Sequence, residues 1–173
     1  MRTAIRGIII LLIVLWLGGV MFFPIVAATA FGNLNDLHAA GTVVGHCLRI
    51  LHYEGIFSGA LIVILLLIAQ AVKAVPRSVI VPVVLALIMI GLTCYSQFSI
   101  IPRMEHDRIA AGGSIESVPP NNPYRIDFNR LHGRSEHVEE AVLLAGVILV
   151  FFFASNYPRA ESHDRASDPV SAG

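Results

Sequence analysis

Residues 55–72 have the sequence GIFSGALIVILLLIAQAV, which contains no charged side chain. A stretch of about 20 such residues is long enough to cross the hydrocarbon core of a bilayer as a helix. Three more uncharged, apolar stretches occur in the chain, at residues 7–35, 78–102 and 141–158. The sequence therefore predicts an all-α fold, an integral membrane bundle of four transmembrane helices.

The composition supports this class. Of the 173 residues, 55% are hydrophobic and 14% are charged, whereas about 25% of a soluble domain is charged. The 12 basic and 12 acidic residues balance to a net charge of zero, which argues against a nucleic-acid-binding surface. We therefore expect the lipid bilayer, and no nucleic acid, as the chain's immediate surroundings.

Prolines, glycines and charged residues between the apolar stretches predict the domain organisation. We expect one four-span domain over residues 1–158. The helix of the second span is expected to begin near Leu37, in a polar half that extends beyond the charge-free part. The predicted segments are spans at about 5–28, 41–73, 78–101 and 138–158, a polar loop at 103–127 and a flexible polar tail at 159–173.

Basic residues predict the orientation in the membrane. Arg2 and Arg6 precede the first span, and Lys73 and Arg77 lie between the second and third spans. Short loops rich in Lys and Arg remain in the cytoplasm. We therefore expect a multi-pass protein of the bacterial inner (plasma) membrane with both termini cytoplasmic. The first span is longer than the apolar part of a signal peptide and is expected to remain as an anchor.

Glycines at helical spacing predict close helix contacts. Gly41 and Gly45, like Gly55 and Gly59, are four residues apart on one face of the second span. This is the small-residue motif that lets helices approach closely in lipid. Two partners fit the motif: another helix of the same bundle, or a second copy in a homo-oligomer. The predicted helix-packing positions are Gly18, Gly19, Gly41, Gly45, Gly55 and Gly59.

Ionisable side chains gather where spans two, three and four meet the 1–2 and 3–4 loops. Such groups are costly in or beside hydrocarbon, which makes them candidates for a functional site. Three interpretations are open: structural ion pairs, a substrate or proton path, and ligation of haem or a transition metal. The spacing matches no standard metal motif, so the expectation is no cofactor, with haem or a metal as the alternative. The candidate metal ligands are His46, His52, His106, His132 and Glu136.

Charges on the fourth span also predict local pairs. Glu136 and Glu140 are four residues apart and repel each other, whereas His132 and Glu136 form a favourable pair at the same spacing. A cation between the two glutamates would relieve this repulsion, and Arg103 and Arg108 of the antiparallel third span are the candidates for it.

Two segments carry a resemblance to a known family: QFSIIPRM at 97–104 and FNRLHGRS at 128–135. With the glycines at 18–19 and the Gly41-x-x-x-Gly45 motif, they resemble the transmembrane-protein-205-like family (domain of unknown function 4149). The resemblance covers about residues 15–153. It implies four spans, a polar 3–4 loop, a membrane location and an unassigned molecular function. The family-motif positions carried over are Gln97, Pro102, Arg103, Phe128, Leu131, His132 and Ser135.

A fainter similarity concerns LWLGG at residues 15–19. It is similar to the first span of D-type copper-resistance membrane proteins and of four-span haem-binding protoporphyrinogen oxidases. Those proteins have a histidine just before this segment, whereas the first histidine here is His38.

No motif in the chain predicts a catalytic activity. It contains no Gly-rich phosphate loop and no Gly-x-Ser-x-Gly nucleophile elbow. We therefore expect a small membrane protein of unassigned activity that is not an enzyme and acts by helix packing or protein interaction. The alternative is a haem- or metal-binding redox or metal-handling protein that uses the His/Glu cluster on the 3–4 loop side.

Overall fold

The computed structural model describes residues 2–72 and 79–155. Every regular element in these ranges is helical, and four helical rods are long and apolar enough to cross a membrane. The predicted all-α, four-span class is therefore confirmed. The basic turn at 73–77 and the tail at 159–173 lie outside the described residues. The elements are α1 (Arg2–Asn33), α2 (Leu37–Ala71), α3 (Ile80–Tyr95), a π-segment (Ser96–Ile100), α4 (Ile101–Ala110) and α5 (Pro123–Ser155).

The connection between α1 and α2 is short because side chains close both helix ends. Asn33 donates from its side-chain amide to the Thr29 carbonyl, 2.8 Å away. Asp36 accepts a hydrogen bond from the His38 backbone N–H at 2.8 Å and caps α2. The two helices therefore run antiparallel, and the start of α2 lies at the same end of the bundle as the end of α1. We call this end, which also carries α4 and the start of α5, the polar end.

The third rod changes its hydrogen bonding before Pro102. Proline has no N–H to donate and its ring crowds the carbonyl four residues earlier, so a regular α-helix cannot continue unchanged through it. The rod nevertheless continues through Pro102, because the wider turn of the π-segment just before it rearranges the backbone hydrogen bonds. The π-segment buries Ser96, Gln97 and Ile100, and the rod then continues as α4.

Close contacts between α1 and α2 depend on Trp16, the only tryptophan in the chain, which is 1% exposed. A Cβ added at Gly55 would lie 2.7 Å from Trp16 Cε2, and one added at Gly59 would lie 2.6 Å from Ile90 Cγ1. Both glycines are therefore required by the packing of the bundle. The apolar core around Trp16 contains Ile9, Ile13, Leu17, Ile62, Leu66, Met89, Val142 and Leu149.

Large apolar side chains also cover the outside of the bundle. Leu11, Phe57 and Phe151 are 67%, 69% and 70% exposed. A contiguous apolar exterior is unfavourable in water and suits contact with lipid chains. The outer surface therefore agrees with the apolar spans in describing a small membrane protein.

Candidate functional site

A histidine lies between three helices in the interior of the bundle. His52 on α2 is 1% exposed. Its Nδ1 lies 3.1 Å from Oε1 of Gln97 in the π-segment, and its Nε2 lies 2.6 Å from Oε1 of Glu139 on α5. We call these three residues the polar layer. It joins α2, the π-segment and α5 through side-chain hydrogen bonds.

Both ring nitrogens of His52 are hydrogen-bonded to side chains of neighbouring helices. A neutral imidazole carries one N–H, and its other ring nitrogen accepts. Glu139 offers carboxylate oxygens to Nε2, and the Gln97 amide offers either its oxygen or its NH2 group to Nδ1. The two partners therefore use the hydrogen-bonding capacity of the ring, which lowers the cost of burying it.

The three members of the polar layer are not equally accessible. The Glu139 side chain is 17% exposed, against 1% for His52. The layer is therefore reached from outside more readily at Glu139 than at His52. Next to the layer, the Ser96 and Ser135 hydroxyls are 3.4 Å apart and link the π-segment to α5. Thr93, one helical turn from Gln97, is buried, and its hydroxyl has no hydrogen-bond partner among the described residues.

A second group of polar side chains ties the 3–4 loop to α2. Arg108 donates to both carboxylate oxygens of Glu105, at 2.6 and 2.9 Å, and to the Gly113 carbonyl at 3.0 Å. Its Nη1 also lies 3.1 Å from Nδ1 of His38. Because this arginine is fully used at the polar end, it is not available to α5.

Neither candidate arginine pairs with the two glutamates of α5. Glu136 instead pairs with His132 at 3.4 Å, and Glu140 pairs with His137 at 3.2 Å. Each glutamate finds its partner three or four residues away on its own helix, where helical geometry brings side chains together. Arg103 is exposed and forms no ion pair with any described residue.

The proposed metal ligands do not come together. His46 and His106 are exposed, His132 and Glu136 form their own exposed pair, and His52 is enclosed in the polar layer. Within residues 2–72 and 79–155, no group of three or more His, Cys, Asp or Glu side chains could hold a metal ion. The structure therefore brings together only two of these five residues, His132 and Glu136.

The family-motif positions divide into inward and outward groups. Gln97, Leu131 and Ser135 are buried, whereas Pro102 and Arg103 face outward. The Phe128 ring stacks on His132, with ring centroids 6.3 Å apart. The motif thus contributes to the polar layer mainly through Gln97, with Ser135 beside it.

The predicted glycine positions also divide. Gly19, Gly55 and Gly59 are closely approached by side chains of neighbouring helices. Gly18, Gly41 and Gly45 have no such atom within 4 Å of an added Cβ.

Glu139 is the site residue that the sequence-based set omitted. The feature of the sequence that points to Glu139 is its position two residues before the charge-free stretch that begins at Ala141. It also lies between Ser135 and Val142, which both face inward. A carboxylate at the edge of an apolar span and near its buried face needs a partner inside the bundle.

Comparison with known proteins identifies the family. Residues 11–108, which are more than half of the chain, match the family described as Domain of unknown function (DUF4149). The matched range contains His52 and Gln97 but not Glu139. No curated protein and no solved structure matches the chain. The chain therefore belongs to the DUF4149 family.

Proposed function

We propose that this chain is a non-enzymatic membrane protein that acts by helix packing and protein interaction. The observation that carries the proposal is the use of both ring nitrogens of His52 inside the bundle. Because both partners of His52 are side chains of the bundle itself, the hydrogen bonds fix three helices in register. The polar layer therefore supports a structural role for His52 and Glu139, and we place the protein interaction on the outer surface of the bundle.

The surface proposed for interaction is the first half of α2. Gly41 and Gly45 are exposed and have open space where a side chain would lie. Another helix could therefore reach the α2 backbone there, as in other small-residue contacts in lipid. The space beside Gly55 and Gly59 is occupied by Trp16 and Ile90 of the same bundle, whereas the space beside Gly41 and Gly45 is open. A second copy of this chain is therefore the proposed partner for Gly41 and Gly45.

A pair of matched leucine variants tests this interaction. Gly45→Leu blocks the proposed contact, whereas Gly91→Leu on α3 is the control, since Gly91 is equally exposed and equally open. Both variants should fold, with helix content like that of the wild type. In nanodiscs, native mass spectrometry should find dimers for the wild type and Gly91→Leu, and monomers for Gly45→Leu. A monomeric wild type, or dimers in all three proteins, would contradict the proposal.

We also propose that the chain is a transmembrane-protein-205-like protein of the bacterial inner membrane, with both termini in the cytoplasm. The IPR segment at 101–103 and the FNRLHGRS segment at 128–135 support a transmembrane-protein-205-like protein. Arg2, Arg6, Lys73 and Arg77 support cytoplasmic termini in a bacterial inner membrane. A cysteine added after Arg77, in a Cys-free background, should be shielded from a membrane-impermeant maleimide in intact cells and labelled after lysis.

The haem- or metal-binding alternative has weaker support, because only His132 and Glu136 of its proposed ligands are neighbours. We expect the purified protein to show no Soret band, and elemental analysis to find less than one copper, iron or zinc ion per chain. A stoichiometric metal or haem signal that disappears in His132→Ala would instead favour the alternative. His137→Ala is the control, since His137 is also exposed and paired with a glutamate on α5.

A further inference from the structure

A groove opens on the outer face of the bundle between α1 and α2. It has a volume of about 250 Å³. Phe22 and Ile50 on its rim are 59% and 69% exposed, so the groove faces the lipid rather than the interior of the bundle. Its lining is apolar except for one ionisable side chain, Glu54 on α2, and one thiol. The lining includes Leu15, Phe22, Phe23, Cys47, Ile50 and Glu54.

Glu54 has half of its hydrogen-bonding capacity unused. The Ser58 hydroxyl donates to Oε1 at 2.6 Å. The other oxygen, Oε2, is covered and accepts no hydrogen bond from any described residue. In the part of the chain that the structure describes, Glu54 also forms no ion pair. A carboxylate in apolar surroundings without a cation is unfavourable, and such a group calls for a partner from outside the fold.

The chemistry of the groove specifies that partner. A positive charge would compensate Glu54. Because Oε2 is covered, an N–H group reaches the carboxylate only after the Glu54 side chain changes rotamer and turns an oxygen towards the groove. The rings of Phe22 and Phe23 line the same groove and would attract a cation through their faces. A neutral alkyl chain would leave the oxygen unpaired, and an anionic group would be repelled.

We propose that this groove binds a lipophilic ammonium ion. The ammonium N–H groups donate to Glu54, and the apolar body lies along Leu15, Phe22 and Ile50. The volume is slightly below the range of about 300–1,000 Å³ that is usual for ligand pockets. The groove therefore holds the ammonium group and its first carbons, while the rest of the ligand remains in the lipid.

Cys47 provides a direct readout, because it lines the groove and only one other cysteine, Cys94, occurs in the chain. In a Cys94→Ser protein in phosphatidylcholine nanodiscs, a membrane-permeant maleimide reports access to Cys47. Dodecylammonium is the probe, and dodecanol is the uncharged control of the same chain length. With the amine at about ten times its Kd, about one-tenth of the sites stay empty, and labelling should slow about tenfold. Dodecanol at the same concentration should leave the rate nearly unchanged.

Two variants attribute the protection to the carboxylate. Glu54→Gln should abolish protection by dodecylammonium, whereas Glu140→Gln, which changes an exposed glutamate on α5, should retain it. Equal protection by the amine and the alcohol, or none by either, would overturn the proposal. So would full protection in Glu54→Gln. If Glu54→Gln does not fold, the comparison of amine with alcohol on native Glu54 still decides the question.

Discussion

Replacing His52 by leucine is expected to lower the free energy of unfolding by about 2–3 kcal/mol, because it leaves a buried hydrogen-bonding group of Glu139 without its partner. The expected loss is below the upper range for buried pairs because Glu139 is 17% exposed and can recover part of its hydration. Gln97 also loses its hydrogen bond with Nδ1 of His52. Reversible unfolding of the protein in detergent micelles, followed by circular dichroism, measures the change.

The double variant His52→Leu with Glu139→Leu should recover most of this loss. Replacing both members of a buried pair with apolar side chains removes the desolvation penalty along with the attraction, and the net change is often small. A double-mutant cycle therefore isolates the coupling of the pair from the effect of each single change.

An exposed pair of the same residue types is the matched control for this cycle. His132 and Glu136 on α5 are 3.4 Å apart, with side chains 58% and 62% exposed. Their coupling should not exceed about 0.5 kcal/mol, the usual value for a solvated helical pair. Equal coupling in the two cycles would show that burial of His52 contributes nothing, and it would remove the polar layer as the feature that fixes the three helices.

The four spans could be predicted from sequence because the signal is local. Each charge-free stretch is long enough by itself to require a helix, whatever its neighbours are. Pro102 is equally visible in the sequence, but its effect on the helix cannot be predicted from it. Whether a proline ends a rod, bends it or is accommodated depends on the hydrogen bonds that neighbouring turns can rearrange, and here the π-segment absorbs it.

The partners of His52 could not be predicted from spacing. Glu139 is 87 positions away, and the two residues meet only because α2 and α5 approach across the bundle at this level. Spacing rules for a helix surface pair residues three or four positions apart, so they predict the pair of His132 and Glu136 but not the contact between His52 and Glu139. The informative feature of the sequence is that His52 and Glu139 each lie just outside a charge-free stretch.

The glycine pattern shows a similar limit. Gly41 and Gly45 have the same spacing as Gly55 and Gly59 and lie on the same helix, so the sequence predicts the same packing for both pairs. The packing differs because Trp16 of α1 lies at the level of Gly55 and Gly59 along the bundle. That level depends on how α1 and α2 are aligned, which is a property of the assembled bundle.

Replacing Gly55 by valine is expected to lower the free energy of unfolding by about 3 kcal/mol, at the upper end of the cost of overpacking a core. Even a single added Cβ would lie 2.7 Å from Trp16 Cε2, and Trp16 is 1% exposed, so the larger side chain must displace the indole from its packed position. Gly91→Val on α3 is the matched control, because Gly91 is exposed and has open space where the side chain would lie. It should change stability by less than about 0.5 kcal/mol, as an open surface position does.

A second change in Gly55→Val can show that the clash with Trp16 is the cause. Trp16→Leu alone should destabilise the protein, because it leaves a cavity where the indole was. Combined with Gly55→Val, it should cost less than the sum of the two single changes, because the valine fills part of that cavity. Since Trp16 is the only tryptophan, its emission maximum in the Gly55→Val protein reports directly whether the indole has been displaced towards lipid or water. Additive losses, together with an unshifted emission maximum, would place the cost of Gly55→Val somewhere other than the contact between α1 and α2.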